Sequence, residues 1–555
     1  MGKQGKRNHL HASKTDTPPA VEARIFLQDP QVAQTADVGL TTVEVKGEPW
    51  LGQGPTSARF RVLDRDDKAK RTHPAVRVNA DGTGFAVGRG KPATSYAFHQ
   101  VNVWATVSRL LDHLESPKVF GRRIPWAFPS ARLELRPHAA ELENAYYERE
   151  SGSVRFGYFD SEDGNRVYTC LSHDVIAHEF GHAVLDGLKP YYQETDGPDG
   201  AAFHEYFGDA VAMASALTMR DLMKKLLRRG GGKTGRDTLR KLHWITDLME
   251  EWGSAYGDRF IRSARNRKTV QKLRSNFFEH DRSGILSGAY YDIFRAFFSY
   301  LRKREPEADA LINAADHASR LVFRAVDYCP PAGLDFQIYA TAMLRADEVA
   351  YPADDRGYRT MVKKVLKRRG IKPAPARELS NEDLRPYDLE QLAASETDAY
   401  VFVDRNREAL GIPRDVNFRV TRVFGTCKTA AQGFNPPREI IIEFVWREGV
   451  RLKGSGLGDM AGTISDMWCG GTLVMDTNGN VLHYVLVDDN EDRRKLHHRY
   501  LRFMVREGYF SGEEEGSGHA ARRARAVVRP DKTMKVVRNP AARCASRRRR
   551  RRPRR

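Results

Sequence analysis

The stretch Asp174-Val175-Ile176-Ala177-His178-Glu179-Phe180-Gly181-His182-Ala183-Val184 decides how this chain is read, together with Phe203-His204-Glu205-Tyr206-Phe207-Gly208-Asp209-Ala210 downstream. Positions i and i+4 share one face of a helix. His178 and His182 can therefore offer two imidazoles to one cation, with Glu179 beside the water it holds. Chance supplies on the order of 0.03 such His-Glu-x-x-His matches in a chain of this length and composition. Glu205 and Asp209 are again four apart, between Ala201-Ala202-Phe203 and Ala210-Val211-Ala212-Met213-Ala214, flanks that read as buried. Buried carboxylates need a metal or a partner. Glu205 then completes the two-His-one-Glu set of catalytic zinc with an open fourth position, and Asp209 supports a ligand imidazole from behind.

Working outward, residues 1–22 are polar, charged and Pro-containing and read as a disordered lead-in. Residues 23–170 are β-rich: short alternating stretches such as Arg59-Phe60-Arg61-Val62-Leu63 are divided by turn signals such as Asp81-Gly82-Thr83-Gly84. One helical pattern interrupts them, with Phe98, Val101, Trp104, Val107, Leu111 and Leu114 at spacings of three and four. Residues 171–370 are mainly helical, including Ala289–Leu301 and Ala314–Ala325. A Pro-, charge- and Ser-containing linker is expected at 371–399. Residues 400–510 read as a separate α+β accessory domain. Asn417–Phe424, Arg438–Trp446 and Gly471–Val487 are strand-like there, the last split by the turn Asp476-Thr477-Asn478-Gly479-Asn480, and Glu491–Tyr509 is helical. Residues 511–555 read as a disordered Arg-rich tail. The expected class is α+β.

Composition narrows the function. The net charge of +19 is mostly a property of residues 521–555, where fourteen Arg and two Lys face Asp531 alone. That segment carries +15 and leaves +4 for the first 520 residues, so a basic pI says little about what the folded body binds. Five scattered cysteines without CxxC spacing argue against a disulfide framework and a thiolate zinc site. No apolar run approaches the ~20 residues of a membrane helix. The first twenty residues lack the apolar segment of a signal peptide, so a cytoplasmic location, or export without a classical signal, is expected.

The chain resembles the thermolysin-like metallopeptidases of the gluzincin group. The likeness runs through the His178–His182 and Glu205–Asp209 segments and two further ones. Asn144-Ala145-Tyr146-Tyr147 is similar to the family's edge-strand segment, and His280-Asp281-Arg282-Ser283-Gly284 to its His-x-x-Ser-Gly motif. The resemblance implies a β-rich N-terminal lobe, a helical C-terminal lobe and one catalytic Zn2+ held by His178, His182 and Glu205. It also implies that Asn144 and Ala145 hold the substrate backbone and that Arg262 binds the substrate carbonyl. His280 and Tyr192 would stabilise the developing oxyanion, and Val175 and Ile261 would line an apolar leaving-side pocket. The sequence departs from the family in three places. His204 stands where Asn is common, the gap from His182 to Glu205 is longer, and no acidic cluster follows Asp209, which argues against structural calcium.

The implied reaction is internal cleavage of a peptide or protein before bulky hydrophobic residues, with Glu179 as general base. A reading of another class is a polyanion- or nucleic-acid-binding protein with an accessory peptidase-like domain, resting on the Arg547–Arg552 run. A third expectation is that residues 400–510 recognise the biological target.

Overall fold

The computed structural model describes residues 18–510, apart from 28, 31–38, 49, 89–90, 195, 220–245, 250–252, 254, 256–259, 376 and 430–435, together with 524–528 and 533–538. The fold is mixed α+β. The lead-in expectation falls on residues 1–17, outside the described set, and the first strand already begins at Val21.

The N-terminal part is built on strands β1 (Val21–Phe26) to β9 (Arg166–Tyr168). β1 pairs antiparallel with β2 (Leu40–Val45), and β4 (Arg65–Asp66) with β5 (Arg71–Thr72). A five-stranded sheet runs in the order β3 (Phe60–Val62), β6 (Leu133–Glu141), β8 (Ser153–Asp160), β7 (Ala145–Glu148), with β9 also on β8. β7 is thus an edge strand. Helix α1 (Tyr96–Glu115) packs against this layer, and its first turn is closed by Ser95, whose hydroxyl accepts the Phe98 N–H.

The helical part follows. α2 (His173–Leu188) and α3 (Pro198–Thr218) lie side by side, and α4 (Glu279–Leu301) packs on α3. α5 (Glu307–Arg324), α6 (Phe336–Ala350) and α7 (Tyr358–Arg369) complete the lobe. α7 ends as its sequence dictates, on Gly370 at φ +75°, after a last turn holding Lys367, Arg368 and Arg369. Between α3 and α4 lies the two-residue pair β10 (Asp247–Leu248) and β11 (Arg262–Ser263).

Three features differ from the sequence reading. The 371–399 stretch is not a bare linker: it carries α8 (Leu389–Ala394) and the start of α9 (Glu396–Arg405), and its Leu384 and Leu392 are buried with Phe402, Phe444 and Trp446. The tail expected to be disordered supplies β16 (Ala524–Val528) and β17 (Thr533–Arg538). β17 joins, in parallel, the start of β14 (Ile464–Asp476), and its Met534 and Val536 are buried in a cluster with Leu452, Leu501 and Met504. The rest of the sheet is β12 (Arg419–Thr426), β13 (Glu439–Arg451) and β15 (Val481–Val487), followed by α10 (Glu491–Arg506). Thirdly, the 400–510 module is not detached. Ile441 and Val474 belong to the main core, and Lys189 pairs with Glu443 at 2.5 Å, both buried. Among the described residues no helix is long and apolar enough to cross a membrane.

Candidate metal centre

α2 starts at Ser172, whose Oγ accepts the Val175 N–H at 3.3 Å, and all sixteen of its residues are buried. A helix internal on every side must satisfy its polar side chains within the protein. Two glycines set how closely α3 approaches. A Cβ on Gly208 would stand 2.6 Å from His178 Nδ1, and one on Gly181 would stand 2.9 Å from the Gly208 Cα. The His178 ring therefore lies directly against the α3 backbone.

His178 Nε2 and His182 Nε2 face each other at 3.1 Å. Glu205 reaches both from α3, with Oε2 3.6 Å from His178 Nε2 and Oε1 3.8 Å from His182 Nε2. Coordinating atoms of His178, Glu179 and His182 lie within 4.8 Å of one another. The outer ring nitrogens are also engaged. His178 Nδ1 is 3.2 Å from Asp209 Oδ1, and Asp209 Oδ2 accepts the Ser287 hydroxyl at 2.9 Å. His182 Nδ1 meets His204 Nδ1 at 2.8 Å. His204 thus takes up the outer nitrogen of His182. Ser287 was not singled out from sequence; it sits seven residues after His280 on the same face of α4, which is the signal that marks it.

Arg262 and His280 join this group. The Arg262 guanidinium lies 3.2 Å from Glu205 Oε2, 3.4 Å from Asp209 Oδ1, 3.2 Å from His178 Nε2 and 2.8 Å from His280 Nδ1. His280 Nδ1 is 2.9 Å from Glu205 Oε2. Burial and Arg262 pull the His178 pKa down, but its bonds to Asp209 and Glu205, with the charge of Glu179, outweigh them and raise it. Burial pushes Asp209 up, yet Arg262 and His178 leave it below the usual carboxylate range. Two imidazoles and several carboxylates thus converge on a point whose potential favours positive charge, and a guanidinium is held there. That donor set fits a divalent cation.

The remaining expected residues are placed as follows. Asn144 is buried and precedes β7; its carbonyl accepts the Gly157 N–H at 2.9 Å, and Ala145 opens the edge strand opposite Phe156. β7 runs along α2, where the Tyr147 hydroxyl donates to Asp186 Oδ2 at 2.8 Å and Arg149 pairs with the same carboxylate. Val175 is fully buried on α2, and Ile261 is half-buried beside Arg262. Tyr192 is not brought into this group of contacts. It is buried against Phe203, and its hydroxyl donates to the Pro330 carbonyl at 2.7 Å. Burial raises that hydroxyl's pKa far above its ordinary value. The oxyanion role expected of Tyr192 is therefore not carried forward.

No model of a known protein family matches the chain, and a search of curated proteins returns no match.

Proposed function

We propose that the chain is a zinc-dependent endopeptidase of the thermolysin-like kind, with the β-rich part and the helical part as its two lobes. The observation that carries this reading is the pair of Nε2 atoms of His178 and His182, 3.1 Å apart, facing Glu205 with Glu179 at their side. His178, His182 and Glu205 would hold the metal, which supplies Lewis acidity and a water whose pKa falls towards ~7.

The chain's own residues do the rest. Glu179 takes the proton from the attacking water and delivers it to the leaving amine. Asp209 and His204 fix the orientation of the two imidazoles through their outer nitrogens. His280, partly exposed, donates to the charge that develops on the scissile carbonyl oxygen. Arg262 lies alongside it, placed to hold a substrate carbonyl once substrate competes for its contacts. β7, at the end of the sheet among the described residues, gives an extended peptide a strand to pair with, which brings its bonds past α2.

The test is metal content and peptide cleavage by the purified protein. Wild type should hold zinc and cut internal bonds; His182→Ala should lose both. A protein that carries zinc at this site but cuts no peptide would sink the reading.

A further inference from the structure

A second cluster of metal-ligating side chains lies outside the first. His99 on α1, His138 on β6 and Cys170 in the 3-10 turn Thr169–Leu171 are each no more than 1% exposed, and their ligand atoms lie within 4.8 Å of one another. They are brought together by specific local features. β6 contains Pro137 and breaks its register with β8 between Arg136 and Ala140, and this irregularity carries His138. The Cys170 carbonyl is fixed by the Asn102 side-chain amide at 3.0 Å, three residues along α1 from His99.

The outer nitrogen of each ring is held by an acceptor that suits a metal ligand. His138 Nδ1 lies 2.7 Å from Asp64 Oδ1, and Gln100 donates to the other Asp64 oxygen at 2.8 Å. His99 Nε2 lies 3.1 Å from the Pro92 carbonyl. Imidazoles that bind metals characteristically donate their other N–H to a carboxylate or a backbone carbonyl in this way. The inner nitrogens, His99 Nδ1 and His138 Nε2, are then aimed at each other at 2.8 Å, with Cys170 Sγ 3.9 Å from His138 Nε2.

We propose that His99, His138 and Cys170 form a second, structural site for a divalent, borderline-soft transition-metal cation, zinc above all. Two imidazoles and a thiolate select against calcium and magnesium, which prefer oxygen donors. The site lies beside Tyr96 and Tyr168, whose rings stand 4.9 and 5.4 Å from that of His138. Geometry is close. Tetrahedral bonds of ~2.0–2.1 Å to nitrogen set ligand nitrogens about 3.3 Å apart, so the rings need part by only about half an ångström. Binding releases the thiol proton of Cys170. Because Cys170 lies two residues before Ser172, the cap of α2, the ion would staple the N-terminal sheet and α1 to the start of the helix that bears His178 and His182. This inference does not depend on the peptidase reading.

The experiment loads the full-length protein with Co2+ and counts metal per chain while recording thiolate-to-cobalt charge-transfer absorption. Wild type should show that band and two ions. His182→Ala should keep the band with one ion, and Cys170→Ser should lose the band and one ion. His99→Asn, which removes a different donor and leaves the thiol, must give the same loss. If the first centre binds no metal, wild type and His182→Ala should both hold one ion with the band, so the two readings fail separately. Absence of the band in wild type, or its survival in Cys170→Ser, overturns the proposal.

Discussion

Glu443→Leu is the sharpest probe of how the C-terminal sheet relates to the helix bearing His178 and His182. Glu443 Oε1 sits 2.5 Å from Lys189 Nζ, the pair is 2% and 1% exposed, and Lys189 is the C-cap of α2. Removing the carboxylate leaves a buried ammonium whose remaining hydrogen bond among the described residues is to the neutral Cys329 carbonyl at 2.6 Å, with Asp327 acting on it only through its charge. An unpaired buried charge costs about 3–5 kcal/mol, whereas replacing both partners by apolar groups is often neutral or stabilising. Glu443→Leu should therefore lose about 3–5 kcal/mol, a large part of the ~5–15 kcal/mol that holds a protein folded. Lys189→Met combined with Glu443→Leu should recover most of it. Urea unfolding followed by tryptophan fluorescence, comparing midpoints at constant slope, measures both values and their coupling. A loss below ~1 kcal/mol in the single variant, or equal losses in single and double, would refute the argument that this charge is desolvated at the junction.

Other outcomes concern Glu179, the tail, buried Asp327 and the cleavage preference. Glu179→Gln should keep its zinc while peptide cleavage falls by about 10²–10⁴, the usual contribution of a general base; loss of the metal in that variant would remove Glu179 from the role. Ending the chain after Phe510 removes buried Met534 and Val536 and should cost about 3–6 kcal/mol at ~1.5–3 per side chain. Ending it after Arg538 should leave the melting temperature and cleavage of a neutral peptide unchanged while lowering any salt-sensitive heparin binding. Asp327 is fully buried, and despite that burial Arg122 and Lys428 depress its pKa to about 2, against an unfolded value near 3.8. Its contribution, about 2 kcal/mol, is present above pH ~4 and lost as pH falls through ~2, so the stability gap between wild type and Asp327→Asn should narrow over that window. Product mapping on mixed peptides should show broad preference for Leu or Phe after the cut, since a missing methylene changes discrimination by only ~1–3 kcal/mol; a preference for charged residues there would overturn the pocket assigned to Val175 and Ile261.

What could be read from the sequence was local. Carboxylates and imidazoles spaced by four within apolar runs announced α2 and α3, and Asp476-Thr477-Asn478-Gly479-Asn480 announced a turn in which Asp476 Oδ1 accepts the N–H groups of Asn478 and Asn480 at 2.8 Å. What escaped was set by averaging or by distance. The Arg-rich composition of 511–555 masks a period-two signal in Thr533-Met534-Lys535-Val536-Val537, whose Met534 and Val536 turn inward. Pro and charge in 371–399 likewise hide the single anchors Leu384 and Leu392. His99, His138 and Cys170 come from three elements far apart in the chain, and no spacing rule links them. The lone Glu443 within Ile440-Ile441-Ile442-Glu443-Phe444 was read only as part of a strand, and the fold alone names Lys189 as its partner.

These junctions tie the C-terminal module to the helices of the candidate metal centre. α2 ends in carbonyls that have no partner within the helix, and Arg422 of β12 donates to two of them, Gly187 and Leu188. The connection from α2 to α3 is then held at three places: Lys189 by Glu443, Glu194 by the Trp468 indole at 3.0 Å, and Asp196 by Arg493 at 2.5 Å and His497 at 2.8 Å. On the far side, the Tyr509 hydroxyl donates to Glu279 at 2.7 Å, one residue before His280, while Phe277 packs among Tyr500 and Phe503. His178, His182, Glu205 and His280 sit on three helices, and the segments that fix the relative positions of those helices are tied to residues 400–510. A centre whose ligand atoms must agree to within about half an ångström needs such support from outside its own elements. The sheet's contacts are therefore those of a scaffold for the candidate metal centre, which is why a single buried carboxylate on β13 is expected to be felt at α2.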